Sequence, residues 1–129
     1  MYLVLDTSVL IDIEKNVELT KQKLLSLRQN LPLALAITSI TYTEIFRGYL
    51  KIGRNQDEIE DILEKYILLN TTKNSSIIAA DIMNILYEKG KPIPVQDILI
   101  ASIAIDSGGI LATKDPHFQD VQNLKVIMI

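Results

Sequence analysis

The chain has 129 residues, 48% of them hydrophobic and 22% charged, which is the size and balance of one globular domain with its own core. A formal net charge of −3 excludes recognition of nucleic acid through a broad basic surface, though it allows a local basic rim around an acidic site. Cysteine is absent, which excludes disulfides and thiolate zinc centres and suits a reducing compartment. Met1 leads straight into apolar residues with no basic leader, and the apolar runs at 33–37 and 98–105 are too short to span a bilayer. We therefore expect a cytoplasmic protein with a single domain over residues 1–129.

In chain order, Tyr2–Leu5 is a short apolar run closed by Asp6, and Thr7-Ser8 leads at once into Val9, Leu10 and Ile11. This predicts a buried strand ending on an acid and turning into a helix. A polar helix follows from Val17 to Arg28, broken by Asn30 and Pro32. Leu33–Ile37 is a second buried strand. Thr41–Ile52 is helical, with Tyr42, Ile45, Phe46, Tyr49 and Leu50 on one face. Beyond Gly53-Arg54-Asn55, a helix buries Ile59, Ile62, Leu63 and Tyr66 and turns Asp57, Glu58, Glu60, Asp61 and Glu64 to water. Ile67–Leu69 is a third strand. Ser75 or Ser76 caps a helix to Lys89, with Ile78, Ile82, Ile85 and Leu86 inward, and Gly90 and Pro92 end it. Pro94 opens a helix from Val95 to Ser107 that is apolar on nearly every side, as a helix between two layers must be. Gly108-Gly109 stops it. Ile110–Thr113 is a strand, Lys114-Asp115-Pro116 a turn, and Lys125–Ile129 a last strand. Strands alternate with helices throughout, so the class is α/β with a mainly parallel sheet.

Four acids stand out. Asp6 and Asp115 each follow an apolar strand, where open α/β sheets place their sites. Asp97 lies in the first turn of the apolar helix, so its carboxylate sits at the edge of the core and needs a partner or a cation. Glu44 lies one turn before Gly48, where a missing side chain leaves room for a substrate. Each also has an ordinary reading. Asp6 and Asp115 suit helix caps, Asp97 suits a helix N-terminus, and Glu44 suits a solvated face. If the four converge, mutual repulsion raises their pKa values unless a cation relieves them. An all-oxygen set selects a hard cation, Mg²⁺ or Mn²⁺.

With these acids in place the chain resembles a PIN-domain protein, most of all the VapC-type toxin ribonucleases. Leu5-Asp6-Thr7-Ser8 with Leu10-Ile11-Asp12 resembles the first acidic motif, and Thr38-Ser39 through Glu44 to Gly48 the second. Pro92-Ile93-Pro94 through Asp97 to Ser102 resembles the third, and Leu111-Ala112-Thr113-Lys114-Asp115 with His117-Phe118 the fourth. The resemblance implies a three-layer sandwich around a mainly parallel five-stranded sheet. It implies a Mg²⁺- or Mn²⁺-dependent endoribonuclease with Asp6, Glu44, Asp97 and Asp115 as catalytic and metal-binding acids. It adds Ser8 and Thr113 as auxiliary hydroxyls, and a small antitoxin and a second copy of the chain as partners.

Arg47 and Lys114 are candidate contacts to RNA phosphates, Arg47 alternatively pairing with Glu44. His117, beside Phe118 after a turn, reads as structural and is left outside the site. Thr7 and Ser8 are expected to cap the first helix, freeing Asp6 for the metal. The alternative from another class is a non-catalytic PIN-fold module that binds RNA or protein. A phosphoacceptor receiver is disfavoured because the third strand runs into Asn70-Thr71-Thr72. A dehalogenase-type phosphatase is disfavoured because position 8 is Ser.

Overall fold

Five short strands form one sheet in the order β3-β2-β1-β4-β5, with every neighbouring pair parallel. They are β1 (Tyr2–Leu5), β2 (Ala34–Thr38), β3 (Ile67–Leu69), β4 (Ile110–Thr113) and β5 (Lys125–Met128). The computed structural model describes all of residues 1–129. Six α-helices connect the strands: α1 (Thr7–Glu14), α2 (Glu18–Asn30), α3 (Ser39–Lys51), α4 (Gln56–Leu63), α5 (Lys73–Glu88) and α6 (Val95–Asp106). A single 3₁₀ turn, Pro116–Asp120, links β4 to β5. No helix is long and apolar enough to cross a membrane.

β1 is the centre of the sheet because it is the most apolar strand. Leu3, Val4 and Leu5 are fully buried, and Val4 pairs with Ala36 of β2 on one side and Leu111 of β4 on the other. Successive side chains leave opposite faces. Leu3 and Leu5 therefore join Val9, Leu10, Leu24, Ile45, Ile59 and Leu63 in a core under α1 to α4. Val4 and Leu111 join Ala79, Ile82, Leu86, Ile98, Ala101 and Ala104 in a second core under α5 and α6. These are the three expected layers, and the sheet is parallel throughout. α6 is buried along most of its length between the sheet and α5, as its near-continuous apolar sequence requires. Gly109 allows β4 to lie close beside β1, since a Cβ there would meet Tyr2 O at 3.0 Å and Val4 Cγ2 at 3.1 Å.

Two caps differ from expectation. Asp6 itself caps α1, accepting the Thr7 amide at 2.9 Å, so the cap does not pass to Thr7 or Ser8. Thr72, not Ser75 or Ser76, caps α5. Its hydroxyl accepts the Ser75 amide while Ser75 Oγ accepts the Thr72 amide, a reciprocal box that a Ser at its third position can close as Glu or Gln does elsewhere.

The strand order reverses at β1. The chain proceeds outward from β1 to β2 and β3, then returns to the other side of β1 for β4 and β5. A crevice forms at such a reversal, beyond the carboxyl ends of the two strands that diverge.

Candidate active site

Asp6 and Asp115 flank that crevice, one just beyond β1 and one just beyond β4. Asp6 is 7% exposed, and both of its oxygens are engaged by the chain. Oδ1 accepts the Thr7 amide, and Oδ2 accepts the buried hydroxyl of Thr113 at 2.7 Å. Thr113 Oγ1 in turn accepts the Asp115 amide at 3.0 Å. One hydroxyl thus ties the first acid to the backbone of the last. Burial raises the Asp6 pKa, the bonds from Thr113 and Thr7 pull it back, and the Asp115 charge raises it again. A carboxylate oxygen has two lone pairs, so neither bond exhausts Asp6 as a ligand.

Asp97 enters from the other side on the first turn of α6. It is half-buried and makes no hydrogen bond through its carboxylate. Its pKa is pushed up to about 6, first by burial, then by Asp6, Asp115 and Glu44, with His117 opposing. The helix dipole favours an anion here by about 0.3–1 kcal/mol, and burial with three neighbouring acids outweighs it. Asp6, Asp115 and Glu44 all lie near enough to Asp97 for their charges to bear on it.

Glu44 lies in the second turn of α3 and reaches over α1. As a residue it is exposed, yet its carboxylate tip is partly screened from water. Oε1 accepts the Thr7 hydroxyl at 3.2 Å, and that hydroxyl also lies 3.2 Å from Thr41 Oγ1. Burial raises the Glu44 pKa, the Thr7 bond lowers it, and Asp6 raises it. Thr7 therefore spans two acids, its amide on Asp6 and its hydroxyl toward Glu44. The motif that carries Thr7 named its neighbour Ser8 as the auxiliary hydroxyl. Ser8 Oγ is buried and satisfies no hydrogen-bond geometry, although it exerts a small downward pull on Asp6. Of the two expected hydroxyls, Thr113 is the one that donates to Asp6.

His117 was left outside the site by sequence reasoning, and the structure brings it to the rim. Its Nδ1 lies 3.3 Å from Asp115 Oδ1, and its amide donates to the same oxygen at 2.9 Å. Ligand atoms of Asp97, Asp115 and His117 all lie within 4.8 Å of one another. The available signal was Asp-Pro-His after a strand, a 3₁₀ turn that returns the third residue toward the first. Phe118, fully buried, anchors that turn in the second core.

The two candidate cations have different surroundings. Lys114 pairs with Asp12 on α1, so its ammonium is committed outside the four acids. Arg47 forms no ion pair with Glu44; the only pairs are Lys65–Glu14, Lys114–Asp12 and His117–Asp115. Arg47 and Lys51 instead border a shallow depression of about 610 Å³ on α3, floored by Tyr42, Phe46 and Leu50. A Cβ at Gly48 would meet nothing within 4 Å, so the space beside Glu44 is open and no internal packing requires the glycine.

Three carboxylates and a fourth at the rim, one of them unpartnered and held near pKa 6, fit a hard divalent cation, whose ligands are oxygens. The fit follows from donor chemistry and charge.

Comparison with known proteins gives three findings. The PIN domain family profile matches residues 3–124. The chain is 40% identical over 100 residues to Ribonuclease VapC3 of Methanocaldococcus jannaschii, covering 78% of this chain and 95% of that one. Its fold superposes on a chain of the VapBC2 complex of Rickettsia felis, bound to a promoter DNA fragment, with TM-score 0.83, 24% identity and coverage of 100% and 99%. It also superposes on VapBC-1 of nontypeable Haemophilus influenzae with TM-score 0.82, 25% identity and coverage of 99% and 98%.

Proposed function

The chain belongs to the PIN-domain family, and from that footing we propose that it is a divalent-metal-dependent endoribonuclease of the VapC type, the toxin of a toxin–antitoxin pair. The observation that carries the metal-dependent chemistry is Asp97, a half-buried carboxylate without a hydrogen bond, crowded by three other acids. A site whose only role was structural would supply donors to that carboxylate.

Asp6, Asp97, Asp115 and Glu44 would hold Mg²⁺ or Mn²⁺. A bound cation at such a site supplies an activated water and polarises the scissile phosphate. The protein's own part is positioning and charge. Thr113 and the Thr7 amide lock Asp6 in one rotamer, and the Thr113 hydroxyl spends its only proton on Asp6 while accepting from Asp115. Thr7 orients Glu44 from the opposite helix. Asp115 spends one oxygen on the turn that follows it and keeps the other free. His117 borders Asp115 and, when protonated, lowers the repulsion that an incoming phosphate meets. Arg47 and Lys51, beside one depression on α3, are the cations this reading offers to RNA phosphates.

The same reading carries a small antitoxin and a second copy of the chain as partners. The exposed Leu50 and Ile52 at the end of α3, close to Glu44 in sequence, supply apolar area that a covering protein would bury. On this reading the protein works in the cytoplasm, which suits a chain without cysteine.

The test is cleavage of a structured RNA with purified protein. Cleavage should stop in excess EDTA and return with Mg²⁺ or Mn²⁺. Asp6→Asn should lower it more than about 100-fold, beyond the loss of a supporting partner alone, and should leave the fold intact because Asn caps a helix as well as Asp. Wild-type cleavage in EDTA would refute the metal, and no cleavage under any metal would leave a non-catalytic binding module.

A further inference from the structure

Lys114 stands between the two residues that the end of β4 delivers to the site. Thr113 donates to Asp6, and Asp115 is the fourth acid. The ammonium of Lys114 is turned to Asp12 Oδ2. The same oxygen accepts the hydroxyl of Thr20 at 2.7 Å, and Thr20 is 3% exposed on α2. Asp12 belongs to α1, the helix that Asp6 caps. The cluster therefore joins α1, α2 and the end of β4. From it, one path runs back along α1 to Asp6 and another leads directly into the turn that bears Asp115 and His117.

We infer that Asp12 is a positioning residue for this site: by gripping Lys114, with Thr20 fixing its own carboxylate, it sets the turn that presents Asp115 and His117 to Asp6 and Asp97. The inference rests on the reading of those residues as one metal-holding set. The turn's other ties are local: the Asp115 amide to Thr113, the His117 amide and ring to Asp115, and the Phe118 amide to the Asp115 carbonyl at 3.5 Å, with Phe118 buried at its far end. Lys114 and His117 both flank Asp115 in sequence, and the Lys114 ammonium is the one turned away, to Asp12. The Asp12 carboxyl is held below the usual range, first by Lys114 and then by Thr20. Lys114 is 42% exposed along its side chain, and exposed ion pairs add little to global stability. The consequence of losing this one is local order in the turn.

Hydrogen exchange of the metal-free protein, read by NMR, tests this without any activity. In Asp12→Asn and in Lys114→Met, the Asp115 and His117 amides should exchange about tenfold faster, while amides of α5 keep their rates. Asp12→Glu should retain slow exchange. A Mn²⁺ titration is the second readout: each single variant should weaken affinity roughly tenfold, the low end for a partner that supports a ligand. The double variant should be no worse than either single one, because both remove the same contact. Unchanged exchange in the turn in both single variants would overturn the inference, as would effects that add in the double variant. A wild-type chain that neither binds Mn²⁺ nor cuts RNA would refute the nuclease reading instead, and the exchange rates would still decide whether Asp12 sets the turn.

Discussion

Asp97 and Asp106 stand at the two ends of α6, and the helix dipole ranks them in the opposite order from the one observed. An anion is favoured at the N-terminus and disfavoured at the C-terminus. Yet Asp97, at the favoured end, has its pKa pushed up to about 6, while Asp106, at the disfavoured end, is held below the usual carboxylate range. Local partners decide. Asp106 accepts the Asn74 amide nitrogen at 2.6 Å and the Thr72 hydroxyl at 2.7 Å, which fastens α6 to the cap of α5. Asp97 accepts nothing and faces three like charges. The chain satisfies one acid completely and leaves the other for something outside itself. The number of donors each carboxylate finds, more than its place on the helix, sets the direction of its shift.

The comparison can be broken most decisively at Asp97. Asp97→Asn should reduce RNA cleavage more than about 100-fold and remove the metal's effect on melting. In the wild type, metal at 100 times its dissociation constant should stabilise by about 2.7 kcal/mol. A variant that still melts higher with Mg²⁺ would place the cation elsewhere.

Asp106→Ala should do the reverse. Cleavage should stay at the wild-type rate, while loss of the tie between α5 and α6 should cost about 1 kcal/mol, or roughly 3–5 °C in melting temperature. Reduced cleavage at temperatures well below the melt would show that the far end of α6 also acts on the site.

The smallest effect sharpens the contrast through pH. Asp97 has a folded pKa of about 6 against an ordinary value of 3.8, so its contribution to stability is fully present below 3.8 and is lost as pH rises through about 6. Asp106 is shifted downward, so its contribution is present above 3.8 and is lost as pH falls through its folded value. In chelator, then, the gain in urea midpoint from Asp97→Asn should grow between pH 4 and 7. Asp97 keeps contact with water, which screens the repulsion, so the gain at pH 7 should be only about 0.5–1 kcal/mol. The penalty of Asp106→Ala should be flat from pH 5 to 8. A gain at Asp97 that shrinks with rising pH would contradict the crowding described here.

Much of this was legible before any coordinates. Tyr2–Leu5 and Ile110–Thr113 are strands at the residues their apolar runs and breakers mark, and α6 is buried as its lack of a polar face demands. The four acids were legible as positions, because each ends a strand or opens a helix. Their convergence was not, because it depends on β4 returning beside β1, a choice made by packing on both faces of the sheet. Local exchanges among small polar residues were the least legible. Asp6 both caps α1 and faces the site, so the two roles that sequence reasoning divided between Asp6 and its neighbours fall on one side chain. Thr72 took the cap from Ser75 because either hydroxyl fits and the box needs both. The approach of His117 to Asp115 was not legible because one short turn, not a periodic element, carries it back.

The bond from Thr113 to Asp6 spans 107 residues of sequence. A chain emerging from a ribosome at about 5–20 residues per second carries Asp6 for roughly 5–20 s before Thr113 exists to hold it. Throughout that interval the growing polypeptide has Asp6 and then Glu44 without Asp115, and β1 lacks one of its two neighbours. Parallel pairing between such distant segments is also slow to form once the chain is free. The order of the chain therefore delays the meeting of Asp6 with Thr113 and Asp115 until nearly the whole domain has been made.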